Sequence, residues 1–339
     1  MRKILFLPLA CFAMPLAAEP IRVAVDIAPI HSLVARVMQG VGEPDLIVAP
    51  DASPHTYALR PSQAAALERA QLVFWTSAEL TPWLQNPLET LASNAVISEL
   101  MLIDGTVHHA FREGHGAHES DKEHEAHEED SHDKDEHGHG GGHDEEHEHA
   151  HNKEHAHNKE HGHDHSDAAF DPHGWLDPQN AVLWVQAIAN ALSSADQENA
   201  AIYAANAQAA QVELTALSAN ITAQMEPFQA SSYMVLHDAF QYFDRRFGPV
   251  FAGAIALGDA AAPSPARISG ARHALEESGA TCLFKEPQQS ARLVEVVLEG
   301  SDANLGELDA IGARLSPGPY LYTQLLQGLA DSYSGCLAD

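Results

Sequence analysis

The chain predicts an α/β fold: two Rossmann-like domains with mainly parallel sheets, joined by a long rigid helix. Three observations predict it. Short β-branched runs alternate with helix-period segments in both halves of the chain, the pattern of strand–helix units that build a parallel sheet. Between the halves, Gln197 to Met225 is rich in Ala, Gln and Glu and contains neither Gly nor Pro. The 339 residues exceed what one core usually holds, which favours more than one domain.

The N-terminus, MRKILFLPLACFAMPLAAEP, places Arg2 and Lys3 before an apolar run that ends in small residues near Ala17 and Ala18, the layout of a cleaved export signal over residues 1–18. Cys11 does not make a lipid-attachment site, because Pro8 stands where a Leu is wanted. The mature chain is expected to be exported, and no later run approaches the ~18 apolar residues of a membrane helix. Strand IRVAVDI opens a first α/β domain, residues 19–107. A helix follows from about His31 to Val41, then strand DLIVAP, a helix through SQAAALERA, and strands QLVFWT and AVISEL. Residues 168–196 complete this domain with a helix that Asp177 and Pro178 open, Pro being tolerated in a first turn. The joining helix occupies 197–225 and spans ~40 Å at 1.5 Å per residue.

The second α/β domain, 226–339, carries strands SYMVLH, PVFAGAI, ATCLFKEP and ANLGEL, with helices around Ala266 to Ser278 and Ser290 to Glu299. Its two cysteines, Cys282 and Cys336, are the pair left after signal removal in an oxidising compartment, and a disulfide is expected. Such a bond constrains the unfolded chain by about 4 kcal/mol and ties the C-terminal helix to the strand of Cys282. Neither cysteine has a close Cys or His spacing that would suit zinc thiolates instead.

Composition then separates partners. Acidic residues outnumber Lys plus Arg by 48 to 18, a formal charge of -30 that repels phosphate backbones, so no nucleic-acid partner is expected. Much of that charge sits in one segment, 108–167. Of 23 histidines in the chain, 18 lie between His108 and His165, with no Leu, Ile, Val, Met, Tyr or Trp among them. Such a segment cannot bury enough apolar surface to offset its conformational entropy and is expected to be a disordered loop. In extended chain the histidines of His-x-His point the same way. His137 and His139, His147, His149 and His151, His155 and His157, and His161, His163 and His165 can each close around one divalent ion as auxiliary weak sites. An inert acidic spacer is the plain alternative.

A disordered chelator selects poorly among metals, so selectivity must come from the folded part. Three histidines outside the loop lie where α/β sheets collect ligands: His55 after DLIVAP, His173 in DPHGWLDPQNA, and His237 at the end of SYMVLH. Converging from three separate loops on a cleft between the domains, they can hold one metal ion. His31 and His273 read as structural or solvent-exposed. Asp238, beside His237, is a candidate outer partner, although adjacent side chains at a strand end usually diverge.

Four ordered segments, PHTYALRPS, DPHGWLDP, VLHDAFQYF and LDAIGARL, together with the His-rich insertion before DPH, make nearly the whole mature chain resemble the zinc-binding periplasmic component of ABC importers, the ZnuA type of the cluster A-I metal-binding family. The resemblance implies that His55, His173 and His237 are zinc ligands and that Asp309 stands where a fourth, carboxylate ligand can come from, with water the alternative. Some zinc members place a Glu just before the first His; here that position is Pro54. It further implies a monomer that captures Zn2+ as transported ligand and passes it to a membrane permease driven by a cytoplasmic ATPase. A manganese carrier would exchange an imidazole for a carboxylate. A stand-alone zinc buffer differs only in its partner. A hydrolytic zinc enzyme is the remaining class, disfavoured because no paired general base accompanies His55, His173 and His237.

Overall fold

The structure is a computed structural model of the full chain, and residues 21–112, 170–256 and 264–338 are described. The expected export signal, and the loop histidines from His137 to His165, lie outside the described residues.

The first half runs β1 (Val23–Val25), α1 (Ala28–Val37), β2 (Asp45–Leu46), α2 (Pro61–Arg69), β3 (Leu72–Trp75), α3 (Gln85–Thr90) and β4 (Val96–Glu99). All pairings are parallel, in the order β2-β1-β3-β4. The central strands β1 and β3 are buried on both faces, which is why VAV and LVFW read as continuous apolar runs with no alternation. α1 begins three residues before the predicted start, where Pro29 suits the first turn of a helix, and stops four before the predicted end. His31 is buried within it, its Nε2 2.9 Å from the Pro44 carbonyl oxygen, a structural placement as expected.

The predicted boundary at 107 moves. The fold of this half continues through Arg112 and resumes at Phe170, where Ala110 and Phe170 form an antiparallel bridge. His108 accordingly belongs to the fold: its ring stacks on Phe170 at 4.6 Å and its Nε2 lies 2.6 Å from the Met101 carbonyl.

α4 (Pro178–Ala195) starts at Asp177, whose carboxylate accepts from the Gln179 amide as an N-cap. A single turn over 197–199 then leads into α5 (Ala200–Met225), the predicted long helix. Its buried residues Tyr203, Ala207, Ala210, Leu214, Ile221 and Met225 recur every three, four or seven positions and form one stripe.

The second half repeats the first: β5 (Ser232–His237), α6 (Gln241–Phe247), β6 (Val250–Ala256), α7 (Pro265–Ser278), β7 (Cys282–Lys285), α8 (Ala291–Leu298), β8 (Asn304–Glu307) and α9 (Leu321–Leu337). Its sheet is parallel in the order β6-β5-β7-β8, the same permutation as the first. Cys282 on β7 and Cys336 on α9 are disulfide-bonded, as the cysteine count predicts. One continuous core unites α1, α4, α5 and α9 with the inner faces of both sheets, while smaller clusters cover each sheet's outer face. The two sheets therefore share a single compact unit rather than hanging from opposite ends of an isolated rod.

Candidate metal centre

Each of the three histidines is delivered by a different local device. His55 sits in the loop between β2 and α2, and the indole Nε1 of Trp83 pins that loop by donating to the Pro54 carbonyl at 2.7 Å. Tyr57 packs on Trp83 with ring centroids 5.7 Å apart, and its hydroxyl accepts from the Gln63 side chain. His173 is held by Asp171, whose Oδ1 takes both the His173 backbone amide at 3.0 Å and Nδ1 at 2.7 Å. Asp171 is itself fixed on both sides of its peptide: its amide donates to the His109 carbonyl, and its own carbonyl accepts from the Tyr242 hydroxyl.

His237 is the last residue of the central strand β5. Val235 pairs with Phe284 on β7, so two residues further along each strand His237 comes opposite Glu286. Its Nδ1 lies 2.8 Å from Glu286 Oε1. With Nδ1–H donated to a carboxylate, Nε2 keeps its lone pair for an ion. His173 follows the same rule through Asp171.

The three rings form a nearly equilateral set, with centroids 5.5 Å apart for His55 and His173, 5.6 Å for His55 and His237, and 5.4 Å for His173 and His237. One nitrogen of each lies within 4.8 Å of the others, and no other group of three or more His, Cys, Asp or Glu among the described residues meets this test. His173 and His237 are buried and His55 is partly so. The space they enclose is about 10 Å³, lined also by Pro54, Trp175, Ala239, Gln288 and Ile311. That is room for a single ion or water and for no organic substrate. Equal imidazoles at this spacing suit a borderline dication in tetrahedral geometry with one position left over.

Asp309 is not brought into this group. Its Oδ1 accepts from the amides of Ile311, Gly312 and Ala313 at 3.3, 2.8 and 2.9 Å, and Oδ2 from Arg314 at 3.2 Å, so the carboxylate closes a turn. Gly312 makes that turn possible, with φ at 75° and Leu321 side-chain atoms 3.1–3.3 Å from where a Cβ would stand. The turn still borders the site, because the Trp175 indole donates to the Ala310 carbonyl at 2.7 Å. Asp238, the candidate outer partner, faces Arg112, with Oδ1 3.4 Å from Nη1, and burial pushes its carboxyl up to about 6 while the guanidinium pulls it back. His273 is exposed on α7. Sequence reasoning missed Asp171 and Glu286 as the residues that orient the imidazoles. Their signals were local: an Asp two positions before a His, and an acid just past the strand neighbouring the one that ends in His.

Comparison with known proteins follows this geometry. The family profile described as "ZnuA: Zinc-uptake complex component A periplasmic" matches residues 23–336. The High-affinity zinc uptake system protein ZnuA of Brucella suis biovar 1 is 41% identical over 329 residues, covering 95% of this chain and 93% of that relative. The protein of the same name from Paracoccus denitrificans is 40% identical over 326 residues, 96% of this chain and 94% of its own length. Among solved structures, one described as the crystal structure of ZnuA superposes with a TM-score of 0.70 at 18% identity, covering 94% of this chain and all of that one. A 138-173 ZnuA deletion mutant with zinc bound gives 0.69 at 18% identity, over 94% and 98% of the two chains. With a profile match across residues 23–336 and relatives 41% and 40% identical over nearly the whole chain, the chain belongs to the ZnuA family of periplasmic zinc-uptake components.

Proposed function

We infer that this protein captures Zn2+ in the periplasm and carries it to an ABC importer, with His55, His173 and His237 as its ligands and water or Asp309 in the fourth position. The observation that carries the reading is the trio of imidazole nitrogens within 4.8 Å of one another around a space of about 10 Å³. Zinc favours such a set, whereas manganese would want a carboxylate among the ligands. The protein is a binding component and not an enzyme, as for the zinc-uptake components whose family it shares: an ion is its cargo.

Export through the signal at residues 1–18, a monomeric state, and handover to a permease with its cytoplasmic ATPase belong to the same reading. Among the described residues no helix is long and apolar enough to cross a membrane, in keeping with a carrier that meets its permease from outside. The His-rich segment serves as an auxiliary weak chelator. Two kinds of site then predict two kinds of binding. Calorimetry on the full chain should resolve one tight zinc and several weaker ones, and His237→Ala should remove the tight site while leaving the weak ones. Retention of the tight site in both His237→Ala and His55→Ala would refute the assignment.

A further inference from the structure

Around Glu286 the hydrogen bonds settle more than the tautomer of His237. Glu286 Oε1 faces His237 Nδ1 at 2.8 Å, and Oε2 accepts from the side-chain Nε2 of Gln288 at 2.9 Å. Gln289 holds the same carboxylate in place, donating from Nε2 to Oε1 at 3.2 Å and accepting the Glu286 amide at 2.9 Å. A carboxylate can only accept, so the Gln288 amide must turn its NH2 toward Glu286 and its oxygen the other way. That Oε1 is shielded from solvent and has no hydrogen-bond partner, and Gln288 lines the same small space as the three histidines. A buried carbonyl oxygen left without a donor is unfavourable unless something arrives to fill it.

Resting on the zinc reading above, we propose that Gln288 is a positioning residue for the ion: its Oε1 accepts a hydrogen bond from the water that completes the coordination. Three imidazoles leave a zinc ion one ligand short of a tetrahedron. Asp309 is already engaged by four backbone amides. A water on a dication is a strong donor, and the orphan acceptor bordering the site is what it requires. Glu286 thus arranges two things at once, freeing Nε2 of His237 for the ion and aiming the Gln288 oxygen for the ion's water. The same device disfavours ions that want a hard anionic fourth ligand, since the acceptor is a neutral amide.

The test uses the full chain loaded with less than one equivalent of cobalt(II), whose visible bands report coordination, and competitive titration with zinc. Gln288→Met keeps the length of the side chain and removes the acceptor. The expected result is altered position and intensity of the cobalt bands, zinc affinity lowered roughly three- to tenfold as for one hydrogen bond, and a metal-free melting temperature close to that of the parent. Should Gln288→Met fail to fold, Gln288→Ala is read by the same criteria. Cobalt bands and zinc affinity equal to the parent's, or a band shift produced by Asp309→Asn and not by the Gln288 variant, would overturn the proposal. If instead both His237→Ala and His55→Ala still held zinc as tightly as the parent chain, the zinc reading itself would fall, so the two failures are distinguishable.

Discussion

An imidazole is a defined metal ligand only when its second nitrogen is occupied, and here carboxylates occupy it at two of the three positions. Asp171 holds His173 and Glu286 holds His237, at 2.7 and 2.8 Å. Asp171→Asn and Glu286→Gln should therefore each weaken zinc roughly 10- to 100-fold without abolishing it, measured by competition with a chelator of known affinity. No change in either variant would mean that the ring orientation is set elsewhere. At this scale the histidines were legible in the sequence, because each follows a strand or precedes a helix. The carboxylates were not. Asp171 is one of many acids near a His, and Glu286 is 49 positions from His237, joined to it only by the register of two strands. Asp309, which the resemblance offers as a fourth ligand, accepts hydrogen bonds from backbone amides of its own turn.

Strand ends and helix starts place these residues, and the elements are tied by buried polar contacts that the sequence did not announce. Arg112, beyond the predicted end of the first domain, lays its guanidinium over the Phe251 ring at 3.8 Å and pairs with Asp244 on α6. Tyr233 and Tyr333 donate to the same carboxylate. Asp244 is buried, and burial pushes its carboxyl upward while Arg112 opposes that shift. Arg112→Ala strands a buried acid and should lower stability by about 3–5 kcal/mol in chemical denaturation. A loss under 1 kcal/mol would show the pair to be dispensable. Asp26, at the end of β1, bridges the amides of Ile27 and Thr76, and burial raises its carboxyl to about 6. Since the unfolded value is lower, the folded state holds the extra proton between about pH 4 and 6. This residue's contribution is fully present below about pH 4 and lost as pH rises through 6, an amplitude of about 3 kcal/mol. The stability of the parent chain relative to Asp26→Asn should accordingly improve as pH falls from 7 to 4, and a flat difference would contradict the assignment. The strands and long helices were readable from apolar runs and breakers. These ties were not, because they join residues such as Arg112 and Asp244 that no periodicity relates.

At the scale of the whole fold, the two described sheets of identical strand order share one core, so the three-histidine cluster sits within one continuous body. The repeated strand–helix grammar made this architecture readable. The shared core was not, since the joining helix α5 looks the same in sequence whether it spans solvent or packs on α1, α4 and α9. The fold also refines how the His-rich segment should be removed. Residues 108–112 belong to the folded body, so deleting 114–168 should leave one tight zinc of parental affinity and abolish the weaker ones, whereas a deletion beginning at His108 should also destabilise the fold. Loss of the tight zinc in the shorter deletion would make the segment part of the site. The most direct test of the account is a crystal of the full chain carrying one equivalent of zinc, read by anomalous scattering at the zinc edge. One strong peak about 2.0–2.1 Å from a nitrogen of each of His55, His173 and His237 is predicted. A peak elsewhere, with these three imidazoles touching no metal, would contradict it.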